Sequence, residues 1–375
     1  MARKKRSRRT PLSSVLPFFQ YVSSFSRKTH LTILLFIIIS AFRILSPSLP
    51  SNRPELVSPL TSSHTISNGL TFSTLSEAVR VSHHSPLTIK FYSLVFSFIG
   101  IRTFNVLCDL SSSYLLYSLS LLTTTFESPS VNLSKKMDAR ILPPSLKISP
   151  YLPPLLYYLS PITIAVGLTP SLQPLTHFLL LLSYHSALRG SAPLSILTLS
   201  LNSTLSIWPL YQIIPTLNLL YFTSPSVPSL PRYLSPLLLL LLFSLFLPLL
   251  PSHYLNLKSL TPTPSIHWYF LQMVFPRYLS FYRVIFLLLP LVLTFPVTLR
   301  LHPLPHIGYL CCLGIVSTMH PYPTYLTFSF ILTTLLTSGG ATISRLRLVG
   351  FVSLVCLPLP LVLFSKFYTL WVSNF

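Results

Sequence analysis

The chain has 375 residues, of which 51% are hydrophobic and only 8% charged, whereas a soluble globular domain carries about 25% charged residues. Its 26 Lys and Arg against 5 Asp and Glu give a net charge of +21. That balance excludes a water-soluble enzyme: so few charges cannot solvate a surface around so much apolar chain, and a bilayer must supply the missing solvent.

The N-terminus concentrates cations, with Arg3, Lys4, Lys5, Arg6, Arg8 and Arg9 before the first apolar run, and most others stand singly at the edges of later runs. This is the positive-inside pattern of a membrane protein, not the clustered footprint of a nucleic-acid binder. Residues 1–28 are therefore expected to form a basic cytosolic tail, acting in targeting or retention or touching lipid headgroups. The first apolar run, Thr29 to Leu45, has Arg43 as its one internal charge and is followed by the proline-rich exit Ser46-Pro47-Ser48-Leu49-Pro50. An uncleaved signal anchor fits, since a cleaved signal needs small residues after a short apolar core.

With the tail in the cytosol, 46–86 becomes a first luminal loop that holds Glu55, Glu77, His64, His83 and His84. Leu87 to Leu122 would be about 50 Å long as a helix. Lys135, Lys136, Arg140 and Lys147 place the loop 123–150 in the cytosol, so this region makes one net crossing. From Tyr151 onward, apolar runs cover roughly 151–168, 171–188, 192–222, 233–250, 266–299, 305–319, 322–337 and 348–372. Roughly nine to eleven crossings fit the whole length at about 20 residues each. The expected fold is all-α: one multi-span membrane domain over 29–375, a polytopic transmembrane bundle whose helices are broken by 36 prolines. Proline breaks are tolerated where helices pack on protein or line a cavity, although many prolines simply mark helix starts.

The acids restrict the chemistry. Glu55, Glu77, Asp109, Glu127 and Asp138 are all of them, and none follows Asp138. No Asp-x-Asp or Glu-Glu pair offers a metal-dependent transferase site. Asp109 lies in an apolar stretch, where an ionisable group needs a partner; Arg102, about two helical turns earlier, is one. The four cysteines read as small buried apolar side chains without zinc spacing or a disulfide framework. The eleven histidines show no catalytic-triad signature and several fall at expected helix ends. The aromatic groups Tyr157-Tyr158, Trp208 with Tyr211, Trp268-Tyr269-Phe270, Phe281-Tyr282 and Tyr322 to Tyr325 read as interfacial anchors, or alternatively as a lipid groove. The sequon at Asn132 lies in the expected cytosolic loop and that at Asn202 inside an apolar run, so neither is expected to carry a glycan.

Several short strings, taken in order, resemble one family, the PIG-U subunit of the glycosylphosphatidylinositol (GPI) transamidase. They are Arg53-Pro54-Glu55-Leu56 with Ser58 to Ser62 and Gly69, then His84-Ser85-Pro86-Leu87, Cys108-Asp109-Leu110, and Tyr158-Leu159-Ser160-Pro161 with Ile164. Arg189-Gly190-Ser191-Ala192, Trp208-Pro209-Leu210, Trp268-Tyr269-Phe270 with Phe275, Phe295-Pro296-Val297, His302-Pro303 and Tyr322-Pro323-Thr324 continue the series. The chain departs from the family where Ser76 to Arg80 lacks a Pro and Gly turn and where Met273, Pro276, Arg277 and Thr327 replace acids. It also ends at Phe375, ahead of the family's final membrane helix.

The resemblance implies an architecture similar to the GT-C-type membrane glycosyltransferases and residence in the endoplasmic reticulum membrane. It implies a non-catalytic subunit that binds or presents the GPI lipid while a PIG-K-type cysteine-protease-like subunit performs the transfer, alongside PIG-T, PIG-S and Gaa-type subunits. Arg53, His84, Asp109, Trp208, Trp268, Tyr269 and Tyr322 are the candidate lipid contacts, chosen as polar or aromatic tips at helix ends. No cofactor, metal or nucleic acid is expected. The rival reading is a GPI mannosyltransferase using dolichol-phosphate mannose, with Glu55 or Glu77 as general base; a third is a scaffold that only holds other subunits.

Overall fold

Proline decides where many of the helices begin, because its fixed φ suits the first turn and its missing N–H would have had no partner there. The computed structural model describes residues 34–45, 99–134, 149–168, 171–205, 208–223, 266–302, 304–320 and 324–337; they are almost entirely helical, and no strand element occurs among them. In the unit Met1–Ser46, helix α1 spans Leu34–Leu45. The unit Pro47–Phe375 contains α2 (Ile101–Ser134), α3 (Leu152–Leu159), α4 (Pro161–Gly167), α5 (Gln173–Leu188), α6 (Ala192–Leu205) and α7 (Ile213–Thr223). It continues with α8 (Ile266–Met273), α9 (Leu279–Arg300), α10 (Pro305–Thr318) and α11 (Tyr325–Thr337). Pro153, Pro161, Pro174 and Pro305 stand in the first or second position of α3, α4, α5 and α10. Pro290 and Pro296 lie deep inside α9.

The apolar runs are cut more finely than their hydropathy suggests. The 151–168 run splits at Ser160 into α3 and α4. The 192–222 run becomes α6, a 3-10 segment at Trp208–Gln212, and α7. The 266–299 run becomes α8, a 3-10 turn at Pro276–Tyr278, and α9. In the other direction, α2 continues to Ser134, well into the segment expected to be a loop from residue 123.

The core gathers around α5, which packs against α2, α6 and α7. Leu116 and Leu119 of α2, Leu181 and Tyr184 of α5, Leu199 of α6, Leu220 of α7, Tyr309 of α10 and Phe330 of α11 form one buried apolar cluster. Where α5 meets α6, Ser183 Oγ donates to the Ser195 carbonyl and Ser195 Oγ donates to the Ser183 carbonyl, both at 2.9 Å. Two small side chains thus allow close backbone approach and join the helices without water, the kind of contact that holds helices together in lipid.

Among the described residues, two segments are long and apolar enough to cross a bilayer, Arg102–Thr123 and Pro276–Arg300. They differ in what covers them. The first is largely buried, whereas along α9 Phe281, Val284, Ile285, Leu288, Leu291, Val292, Phe295 and Leu299 are exposed at the three- and four-residue spacing of one helix face. An exposed stripe of this kind suits contact with lipid or with another apolar protein surface.

Candidate functional site

Where α6 gives way to the 3-10 segment, a cleft opens in the Pro47–Phe375 unit, about 630 Å³ in volume counted to its open mouth. The local sequence explains its walls. Gln173, Thr176, His177 and Leu180 recur at helical spacing and so present one face of α5 to the cleft. Across from them, Asn202 of α6 lines the opposite wall, and the 3-10 segment contributes Trp208, Pro209 and Gln212. The end of α10 with His320, and Phe330 of α11, complete it.

The polar side chains here are amides, hydroxyls and imidazoles, and among the described residues no Asp, Glu, Lys or Arg lines the cleft. Some are committed to the fold. Thr324 Oγ1 donates to Gln173 Oε1 at 2.8 Å, and Asn202 Nδ2 donates to the Thr176 carbonyl at 2.9 Å. Others are not: Asn202 Oδ1, His177 Nδ1 and both amide atoms of Gln212 are buried without a hydrogen-bond partner. A buried polar atom left unmet costs about 1–3 kcal/mol, so a group of them facing one cavity is an expense that the fold itself does not recover.

Aromatic rings frame these atoms. The His177 ring stacks on Phe330 at 4.2 Å and 9°. Trp208 is buried, with the rings of His320 at 5.2 Å, Tyr211 at 5.4 Å and His267 at 6.0 Å. Tyr211 O–H donates to the Leu287 carbonyl at 2.5 Å, which ties the 3-10 segment to α9. Among the described residues, no three His, Cys, Asp or Glu side chains converge as a metal site would require.

Of the seven residues expected from sequence, Asp109 and Trp208 have described side chains, and of these two Trp208 lines the cleft. Asp109 sits elsewhere, fully buried where α2 meets α3, and accepts a hydrogen bond from Tyr157 O–H at 3.1 Å. Trp268 and Tyr269 lie in α8, whose neighbouring His267 is buried beside Trp208, but their side chains fall outside the described residues. Arg53, His84 and Tyr322 lie outside the described residues altogether.

Other expectations change. Tyr157, Tyr158, Trp208 and Tyr211 are buried in the protein, not anchored at a membrane interface, because the core between helices is as hospitable to an aromatic ring as the headgroup belt. Phe281, near the start of α9, is exposed. Cys108 and Cys312 are buried as expected, Cys311 is exposed, and Cys356 lies outside the described residues. Asn202 is fully buried with its amide nitrogen engaged, as its place inside an apolar run implied. Sequence reasoning weighed acids, histidines and aromatics, and passed over Gln173, His177, Asn202 and Gln212. The available signal was a set of uncombined amides and an imidazole inside otherwise apolar runs, residues that are costly in a membrane without a use.

The GPI transamidase component GAB1 of Saccharomyces cerevisiae is 27% identical over 254 residues, covering 65% of this chain and 59% of that protein. The GPI transamidase component GAB1 homolog of Schizosaccharomyces pombe is 28% identical over 250 residues, covering 63% of this chain and 60% of that protein. The GPI-anchor transamidase component PIGU of Homo sapiens is 24% identical over 313 residues, covering 73% of this chain and 70% of that protein. The aligned stretch thus spans about three-fifths of the length of the two yeast relatives. The family described as GPI transamidase subunit PIG-U matches residues 29–375 from the end of the basic tail onward, and the chain belongs to the PIG-U family.

Proposed function

We propose that this chain is a multi-pass subunit of a GPI transamidase complex in the endoplasmic reticulum membrane, and that it holds the GPI lipid while another subunit attaches it to a protein C-terminus. The observation that carries this reading is the cleft. It provides buried polar atoms and Trp208 within an apolar bundle, and among the described residues no Asp, Glu, Lys or Arg lines it. Membership of the PIG-U family and the absence of any acid after Asp138 support the same role. Holding one reactant in place lowers the entropic cost of a transfer performed by a neighbour, which is work that requires no reactive group.

In this reading residues 1–28 are a cytosolic tail, 46–86 a luminal loop and 123–150 cytosolic, with a helix arrangement similar to GT-C-type glycosyltransferases. The partners are the catalytic cysteine-protease-like subunit and the PIG-T, PIG-S and Gaa-type subunits. Arg53, His84, Asp109, Trp208, Trp268, Tyr269 and Tyr322 are the proposed lipid contacts. The decisive measurement is lipid analysis of cells lacking the chain. Complete GPI precursors should accumulate; mannose-poor intermediates would instead assign the chain to the mannosyltransferases and overturn the proposal. Trp268→Ala together with Tyr322→Ala should reduce GPI-anchored protein at the surface of such cells, and unchanged levels would remove those two residues from the contact set.

A further inference from the structure

The unmet atoms in the cleft specify more than that something binds. Asn202 has its orientation fixed, because only the amide nitrogen can donate to the Thr176 carbonyl, so the oxygen is the atom left facing the cavity as an acceptor. Gln212 offers one acceptor and a donor group whichever way its amide is turned, and His177 Nδ1 offers one or the other according to tautomer. All three side chains are more than nine-tenths buried. The site therefore needs an occupant that both gives and accepts hydrogen bonds.

An ionised phosphodiester has no O–H and only accepts. It would leave the Asn202 and Gln212 oxygens unmet and would bring negative charge to a wall that, among the described residues, holds no Lys or Arg. An ammonium only donates, and finds no carboxylate among the described lining residues. Neighbouring hydroxyls on a ring meet the requirement, since each O–H donates once and accepts as well. The indole of Trp208 gives such a ring a flat apolar surface beside the amides.

We propose that the cleft bounded by His177, Asn202, Trp208 and Gln212 is a binding site for an uncharged, hydroxyl-bearing ring, a sugar or cyclitol, and not for a phosphate. This rests on the subunit reading above only in taking the ring to be part of a glycolipid headgroup; the chemistry of the cleft is independent of it. The ring carries its hydroxyls to Gln212 and Asn202 and its C–H face to Trp208.

The test is NMR on the detergent-purified complex containing the full chain, with mannotriose and myo-inositol read by saturation transfer and inorganic phosphate, which has no carbon-bound proton, read by broadening of its phosphorus line. Mannotriose or myo-inositol should receive saturation and the phosphate line should not broaden. Signal from mannotriose alone points to the glycan of a headgroup, and signal from myo-inositol alone to its cyclitol. In Gln212→Met, which keeps the length of the side chain and removes both unmet atoms, the signal should fall at least tenfold while the complex melts no lower. His177→Phe, which can retain the stack on Phe330, should weaken binding in the same way if Gln212→Met fails to assemble. The proposal is overturned if phosphate alone binds, if no probe binds, or if neither variant lowers the signal. Should it be overturned while loss of the chain still accumulates complete GPI precursors, the subunit reading stands and only this site assignment falls.

Discussion

Tyr157 O–H donates to Asp109 at 3.1 Å in a fully buried setting where α2 meets α3. Tyr157→Phe keeps the ring and deletes this donor, at a cost of about 1–3 kcal/mol. The expected outcome is a lower midpoint in a thermal melt of the detergent-purified protein, with secondary structure unchanged by circular dichroism below the transition. An unshifted melt would show that the contact carries no stability. The sequence pointed to Arg102 as the partner of Asp109 because both lie on one helix, where spacing is readable. Tyr157 comes from a different helix, and no local pattern could have brought it forward. The same limit applies at the cleft, where Gln173, His177, Asn202 and Gln212 are dispersed through apolar runs and acquire meaning only as a convergent set.

At the scale of elements, the turn between α5 and α6 is set by Gly190, whose φ of 76° lies in the left-handed region. Its N–H donates to the Ala187 carbonyl at 3.0 Å and the Ser191 N–H donates to the Ser186 carbonyl at 3.0 Å, the paired bonds of a Schellman end. A side chain here strains the backbone by roughly 1–2 kcal/mol, so Gly190→Val should lower the melting midpoint more than Ser191→Ala does. Equal effects would indicate that the turn tolerates a side chain. The helices that this turn joins are then linked by Ser183 and Ser195. Because each hydroxyl donates to a backbone carbonyl that alanine keeps, Ser183→Ala and Ser195→Ala should each cost about 0.6 kcal/mol and add in the double mutant, whereas Ser195→Leu should separate the helices and abolish assembly in a co-purification assay.

Helix starts were legible at this scale because proline has a local cause and a local effect. Pro305 begins α10 where the apolar run 305–319 places it, whereas Pro161 begins α4 inside a run that hydropathy leaves whole. The division of 192–222 into three pieces was passed over, although Asn202, Ser203, Thr204, Ser206, Pro209 and Gln212 gather around the break.

Over the whole molecule, the contrast between α2 and α9 is the main architectural fact. Both are long enough to span a bilayer, yet one is covered by protein and the other displays an apolar stripe. Val292→Lys places a charge in that stripe near the middle of α9, where a charged residue costs about 2.5–3.5 kcal/mol of insertion free energy. A glycosylation-reporter insertion assay on the full chain should therefore show a reduced spanning fraction for α9, and an unaffected fraction would place this face against a polar or aqueous surface instead.

Composition by itself determined the solvent, the helical class and the lack of acid chemistry beyond Asp138, since these follow from which side chains are present and need no knowledge of who touches whom. The ordered short strings added the family. Tertiary structure alone decided which apolar residues face inward, because lipid and helix core accept the same side chains and hydropathy cannot separate them. It therefore moved Tyr157 and Trp208 from an expected membrane interface into the protein. It also decided the cleft, for a polar atom becomes a binding group only when its neighbours leave it unmet, and that depends on contacts between helices far apart in the chain.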